Sequence, residues 1–237
     1  MSVLFTRRGA APSLDKLASD YAVGDTVKIP VNGTNKDFLV VHQGNPSTSL
    51  YDSSCNGTWL LMKDIYENRK WHSGNVNDYA NSTIKSYLDS TFYNLLSASA
   101  KTAVKQVKIP YRPDSGTSKT CNTGANGLSC KIFLLSGAEI GFTSSDVSYL
   151  PTNEGAKLSY FESGTGTSAK NKRIAKLNGT ATDWWLRSPD CTNSGRVCNV
   201  RYDGTTNGNF CANSFGVRPA LVLPNDTKFD PDTNVIL

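Results

Sequence analysis

The chain has 237 residues, room for one large domain or two small ones at about 150 residues each. Hydrophobic residues make up 38%, aromatics 10% and charged residues 19%, which excludes a disordered chain and a coiled coil. A net charge of +5 with scattered Lys and Arg gives no reason to expect nucleic acid, and apolar runs no longer than Phe38-Leu39-Val40-Val41 exclude a bilayer-spanning helix.

Residues 1–20 read as an arm, with an apolar stretch too short for a secretory h-region, and 21–237 as a single domain. Val27–Val31 and Asp37–His42 predict a β-hairpin turning at Asn32-Gly33. Trp59–Ile65 predicts a third strand. From Ser82 to Leu96 the period changes: Ile84, Tyr87, Leu88, Phe92, Leu95 and Leu96 form one apolar stripe on a helix, with Asn81 or Ser82 as N-cap. Ser99–Val107 predicts a second helix running into an extended Val107–Tyr111. A Gly/Ser/Thr/Asn-rich surface loop follows from Pro113 to Ser129, then a buried Lys131–Ser136. Residues 163–182 are small, polar and basic. Trp184-Trp185-Leu186, Val197–Tyr202 and a closing strand Val217–Leu223 complete an α+β chain with two early helices and a loop-rich β second half.

Enzyme signatures are poor. There is no G-x-S-x-G, P-loop, H-E-x-x-H or dinucleotide fingerprint. His42 ends an apolar strand and His72 sits beside Trp71, both contexts in which a histidine serves packing. Six cysteines occur, at 55, 121, 130, 191, 198 and 211. None shows the paired C-x-x-C spacing of a zinc site, and without export they are expected as free thiols, with Cys121 and Cys130 the one pair whose spacing invites a bridge. No metal or cofactor is implied.

One stretch departs from the rest of the chain. Lys, Glu, Gln, Met and Trp together number 28, yet none occurs across the 42 residues from Leu186 to Thr227. At the chain's own average, about five would be expected. Those five residues are the ones that a codon ending in a pyrimidine cannot encode. Asn codons carry adenine in their first two positions and a pyrimidine in the third. Randomising the adenines yields Asp, Cys, Thr, Ser, Gly, Arg, Tyr and Phe, the residue types that crowd positions 190–215. A polar loop region short of long side chains remains the simpler alternative.

Trp184-Trp185-Leu186-Arg187-Ser188-Pro189 before that stretch and Gly216-Val217-Arg218-Pro219-Ala220-Leu221-Val222-Leu223 after it resemble the framework of C-type-lectin-fold variable proteins of diversity-generating retroelements, from phages and bacteria. The resemblance runs from about Val23 to Pro224. It implies a C-type lectin fold of the formylglycine-generating-enzyme-like subclass, and a gene whose 3′ part is rewritten by a reverse transcriptase that misreads adenines. It further implies a receptor-binding protein on a phage tail or cell surface, with no catalytic role. Its partner would be a surface macromolecule of a host or neighbouring cell, expected to be a protein. The arm would then dock to a larger assembly; nucleic-acid binding and membrane insertion are not implied. The variable ligand-binding set would be Cys191, Thr192, Asn193, Ser194, Gly195, Arg196, Cys198, Arg201, Tyr202, Asp203, Thr205, Thr206, Gly208, Phe210, Cys211 and Phe215, exposed above a buried Trp184, Trp185, Val197, Val200 and Val217. Arg196, Tyr202, Phe210 and Phe215 are the candidate anchors, since Arg and aromatics dominate binding hot spots. The Glu-Pro-Asn and Trp-Asn-Asp motifs of calcium-dependent lectins are absent. Two other readings stay open, a copper oxidase related to formylglycine-generating enzyme using paired Cys, and a lectin or adhesin module of fixed specificity.

Overall fold

The computed structural model describes residues 14–143 and 145–237; positions 1–13 of the expected arm lie outside them. The described part of that arm holds to the domain edge: β1 (Lys16–Leu17) pairs with Lys228–Phe229 near the C-terminus, and Ala18 is fully buried. The first hairpin follows from its turn. Asn32 and Gly33 take φ of 49° and 70°, the left-handed pair that a type I′ turn needs. It joins β2 (Thr26–Val31) to β3 (Thr34–Gly44). Val27, Ile29 and Val31 alternate inward along β2.

After β4 (Gly57–Met62) and β5 (Glu67–Lys70), the chain enters the expected helix. Ser82 caps α1 (Thr83–Tyr87) by accepting a bond from the Lys85 N–H. The helix widens into a π turn over Leu88–Phe92, then closes as α2 (Tyr93–Leu95). The π turn lets Leu88 and Phe92 both stay buried. A second helix, α3 (Ala98–Ala103), is capped by Ser97. The small strands β6 (Val107–Ile109) and β7 (Leu128–Cys130) pair with each other across the polar loop.

Then come β8 (Ile132–Phe133), α4 (Thr167–Arg173), the short hairpin β9 (Lys176–Leu177) and β10 (Thr180–Ala181), and the strands β11 (Trp184–Pro189), β12 (Arg196–Val200), β13 (Thr206–Phe210), β14 (Ser214–Val217), β15 (Ala220–Leu223) and β16 (Lys228–Phe229). Five of these differ from expectation by addition: α4, β9 and β10 fall in the polar basic stretch, β13 in the diversified one, and β16 beyond the closing strand. The single closing strand expected over Val217–Leu223 is two. Arg218-Pro219 breaks it, and β14 and β15 enter different sheets. The strand expected to run to Tyr202 stops at Val200, where the chain turns toward β13.

One five-stranded sheet has the order β2-β3-β4-β15-β8 and the other β13-β12-β11-β14-β5. Neighbours are antiparallel except β11 and β14, which run parallel. The two sheets contribute opposite faces to the same two apolar clusters. Phe38, Val40, Leu60 and Leu221 from the first sheet and Trp185, Val197 and Val217 from the second meet the early helices through Ile84, Leu88, Phe92 and Ala100. Trp59, Leu61, Val222, Trp184, Leu186, Cys198 and Val200 meet the irregular segment of Ile140, Phe142, Leu150, Leu158 and Phe161. Strands covered on both faces read as continuous apolar runs, which is why Trp59-Leu60-Leu61-Met62 and Trp184-Trp185-Leu186 lack alternation. The chain is thus α+β, mostly sheet with few helices. Among the described residues no helix is long and apolar enough to cross a membrane.

Candidate functional site

Beneath the candidate region, β11 carries a wholly buried polar centre. Arg187 forms a bidentate ion pair with Glu139, both contacts 2.6 Å, and donates to the carbonyls of Pro110, Leu134 and Glu154. Glu139 also accepts from the Tyr51 hydroxyl at 2.8 Å and the Ser136 N–H at 2.9 Å. The next residue, Ser188, donates its hydroxyl to Glu154 and accepts the Gly137 N–H at 2.9 Å. Trp184 and Trp185 direct their indole N–H groups to the carbonyls of Arg173 and Arg69. So the Trp184–Pro189 motif works as a buried fastener between segments far apart in the chain. Burial pushes the Glu154 carboxyl up to about 7, with the nearby Arg187 charge opposing.

The framework grips the candidate stretch mainly by its backbone. Asn77, fully buried, shares its side-chain NH₂ among the carbonyls of Gly116, Asp190 and Asn193 at 3.1–3.3 Å, and its N–H bonds the Ser194 carbonyl at 3.0 Å. Arg112 in turn holds the Asn77 Oδ1 at 2.7 Å. The Cys191 N–H reaches the Tyr149 carbonyl, the Cys211 N–H reaches that of Gly195, and the Cys211 carbonyl accepts from the N–H groups of both Trp71 and His72. At the turn between β12 and β13, the Tyr202 N–H donates to Asp183 Oδ1 at 2.8 Å. Asp183 Oδ2 accepts from Asn199, whose own Oδ1 accepts from Asn209. Asn77, Asp183 and Asn199 escaped the sequence reading because their partners lie elsewhere in the chain and no local pattern marks them.

Above this support, Tyr202 is 53% and Phe210 43% exposed. Each sits with an arginine: the Arg196 guanidinium lies 4.8 Å from the Phe210 ring centroid, and that of Arg201 lies 5.5 Å from the Tyr202 ring. The two pairs mark opposite ends of the β12–β13 hairpin, about 17 Å apart at the strand rise. Thr192 and Ser194 are exposed on the adjoining loop. An Arg–aromatic pair presents a flat apolar plate with charge beside it, the composition of a protein-binding hot spot.

Several candidates lie elsewhere. Cys198 and Cys211 are wholly buried, Cys191 is 6% exposed, and Gly195 is buried; these four were expected on the surface and are not there. Cys198 faces one apolar cluster and Cys211 the other. Phe215 is half-buried and packs its ring at a tilt against Trp185, centroids 4.7 Å apart, so it is held against the core and is not a freely presented anchor. At Gly208 a Cβ would stand 2.5 Å from the Asp190 carboxylate. Asn193, Asp203, Thr205 and Thr206 build turns: Asn193 accepts the Gly195 N–H, Asp203 accepts the N–H and hydroxyl of Thr205, and Thr206 donates to the Asn199 carbonyl. Trp184, Trp185, Val197, Val200 and Val217 are all fully buried. Thr192 is exposed, but its N–H and hydroxyl are held by Asp190 just as those of Thr205 are held by Asp203. The remaining candidates, whose side chains make no hydrogen bond to the described residues, therefore reduce to Ser194, Arg196, Arg201, Tyr202 and Phe210, with Arg196 half-buried.

All six cysteines are free, Cys121 and Cys130 included. Burial raises Cys191 to about 11, Cys55, Cys130 and Cys211 to about 12, and Cys121 and Cys198 higher still. Such groups stay as thiols at neutral pH, whereas a reactive or metal-binding cysteine is a thiolate. Cys198 and Cys211 lie against different apolar clusters and so cannot together form the cysteine pair of a copper centre. Among the described residues no cluster of three or more His, Cys, Asp or Glu is arranged to hold a metal ion. His42 and His72 each serve a local bond, to Ser159 and to the Thr83 N–H.

Residues 56–225 match the sequence family DUF6273, described as a domain of unknown function, and the chain belongs to it. No curated protein and no solved structure matches the chain.

Proposed function

We propose that this DUF6273 chain is a ligand-binding protein of C-type lectin fold, of the formylglycine-generating-enzyme-like subclass, whose surface over residues 190–215 is diversified by adenine-directed retroelement mutagenesis. Displayed on a phage tail or cell surface, it would engage a protein on a host or neighbouring cell. The observation that carries the reading is the backbone grip. Asn77 holds the carbonyls of residues 190, 193 and 194, and Asp183 holds the N–H of Tyr202. A site that must accept many sequences needs a scaffold that positions its loops without depending on their side chains. The absence of Lys, Glu, Gln, Met and Trp from Leu186 to Thr227 gives the genetic half of the same argument.

Two experiments test it. The genomic neighbourhood should contain a second copy of the codons for about residues 184–220, differing only at adenines, beside a reverse-transcriptase gene. A copy differing at all four bases alike defeats the diversification reading. Independently, a displayed library randomised at Ser194, Arg196, Arg201, Tyr202 and Phe210 should remain protease-resistant in most members and yield binders to unrelated proteins. A library that unfolds in most members defeats the scaffold reading.

A further inference from the structure

Arg218 carries a buried charge that its surroundings compensate only in part. It sits where the chain crosses from β14 to β15, and it is 1% exposed. Its Nε donates to the Met62 carbonyl at 2.8 Å and its Nη2 to that of Lys63 at 3.0 Å, and the guanidinium lies 4.9 Å from the Trp184 ring centroid. Its Nη1 has no partner. Arg187, buried to the same degree, is neutralised by Glu139. Among the described residues, no carboxylate lies within ion-pair distance of Arg218. A buried charge without a counter-charge is costly, and a guanidinium with an idle N–H is a strong anion donor. Arg112 and Arg173 share both the lack of an acid and one idle N–H, but neither lines a cleft with Arg218. Arg112 bonds Asn77 and the Pro113 carbonyl, and the carbonyls of Ile140, Glu162 and Gly164 close around Arg173.

What sets Arg218 apart is the cleft it lines. That cleft has a volume of about 280 Å³, and its wall also includes Lys63, Lys172, Lys176, Asp64 and Tyr160. It adjoins a second cleft of about 370 Å³ that shares Lys63, Asp64 and Lys176. In the first cleft four cations thus meet one carboxylate, and the second adds Lys36 and Asp37. Lys176 forms no ion pair among the described residues, and Lys63 reaches Asp37 only at 3.9 Å. Lys172 is held at 3.1 Å by Glu162. Burial lowers the Arg218 guanidinium to about 10, with Tyr160 and Asp64 opposing, the direction expected where the charge lacks compensation.

We propose that this cleft is a binding site for an oxyanion, a phosphate or sulfate group, with Arg218 at its floor and Lys63, Lys172 and Lys176 at its rim. The site is separate from the β12–β13 hairpin and does not depend on the function proposed for it. The space beyond one tetrahedral anion suits a group carried on a larger molecule, such as a sugar phosphate or sulfate.

Binding can be read by isothermal titration and by thermal unfolding of the full chain with inorganic phosphate, inorganic sulfate and glucose 6-phosphate, each against chloride at equal ionic strength. Saturable binding of at least one oxyanion is expected, tighter for the ester if the carrier contributes. Because Arg218→Gln also removes the buried bonds to the Met62 and Lys63 carbonyls, the deciding variant is Lys63→Ala with Lys176→Ala, both side chains at the surface. It should weaken binding at least tenfold, whereas Lys70→Ala with Lys119→Ala, outside the cleft, should leave it unchanged. Oxyanions that do no more than chloride overturn the proposal, as does a cleft variant that binds like the parent. General salting effects raise stability in all variants alike and so do not imitate the expected pattern.

Discussion

Glu154 concentrates the chemistry of single residues in this molecule. Its carboxyl is fully buried, one oxygen accepts the Ser188 hydroxyl, and the other has no partner. Burial raises it to about 7 from an ordinary value of 4.5. For an acid raised by folding, the folded chain holds the proton longer than the unfolded one. Its contribution to stability is complete below about pH 4.5 and is lost as pH rises toward 7. Glu154→Gln removes that titration while keeping the acceptor for Ser188. In urea melts from pH 4.5 to 8, the variant should therefore gain on the parent as pH rises, by about 1–3 kcal/mol at pH 8. A constant difference across that range would show that Glu154 stays ionised in the folded chain. None of this was legible in the sequence. Arg187 stood in a recognisable motif, but its partner Glu139 lies 48 residues away and Glu154 lies 33 away. Long-range pairing of single charges leaves no periodic trace. The cysteines misled for a related reason: residue type suggested surface variation, while register in β12 turned Cys198 inward.

Elements were more legible where period and turn chemistry agreed. Asn32-Gly33 fixed one hairpin, and Ser82 with its apolar stripe fixed the first helix to within a residue of its start. Where propensity opposed tertiary context, the reading failed. β13 is Thr-Asn-Gly-Asn-Phe, poor in β-branched residues, and it is a strand because β12 offers a full ladder from Arg196↔Phe210 to Val200↔Thr206. Likewise α4 lacks a clear apolar stripe, and only Ala169 and Arg173 on it are buried. The run Val217–Leu223 concealed a sheet change, since Val217 at the end of β14 and all of β15 are buried alike. The β12–β13 hairpin carries its own prediction. Replacing Arg196, Tyr202 and Phe210 together by Ser removes side chains that hold nothing below them and should cost less than about 0.5 kcal/mol each. Trp185→Ala removes a side chain packed against Phe215 and bonded to the Arg69 carbonyl, and should cost about 3–5 kcal/mol. Paired guanidinium melts decide it. A triple variant less stable than Trp185→Ala would make the hairpin surface structural.

At the scale of the molecule, the chain interlaces its two sheets. It lays down β2, β3 and β4 in one sheet, β5 in the other, β8 back in the first, β11 to β14 in the second, and β15 again in the first between β4 and β8. Neither sheet comes from a continuous stretch, and each lends one face to each apolar cluster. Losing either sheet strips β15 or β5 of its partners and opens both clusters at once. Partial unfolding along the boundary between the sheets would then expose apolar area that no remaining contact offsets, so a half-folded state has no stable form. This architecture predicts one cooperative transition despite a chain longer than most two-state domains. The tryptophans allow the test, since Trp71 and Trp185 report from one cluster and Trp59 and Trp184 from the other. Four chains each retaining a single tryptophan, the others changed to Phe, should each give a fluorescence transition that coincides with far-UV circular dichroism measured on that same chain. The midpoints of the four need not agree, because each set of Trp→Phe changes shifts stability by its own amount. Should the Trp59 and Trp184 chains lose their fluorescence signal well before their backbone signal while the Trp71 and Trp185 chains do not, the two clusters unfold separately and the interlaced sheets do not act as one unit.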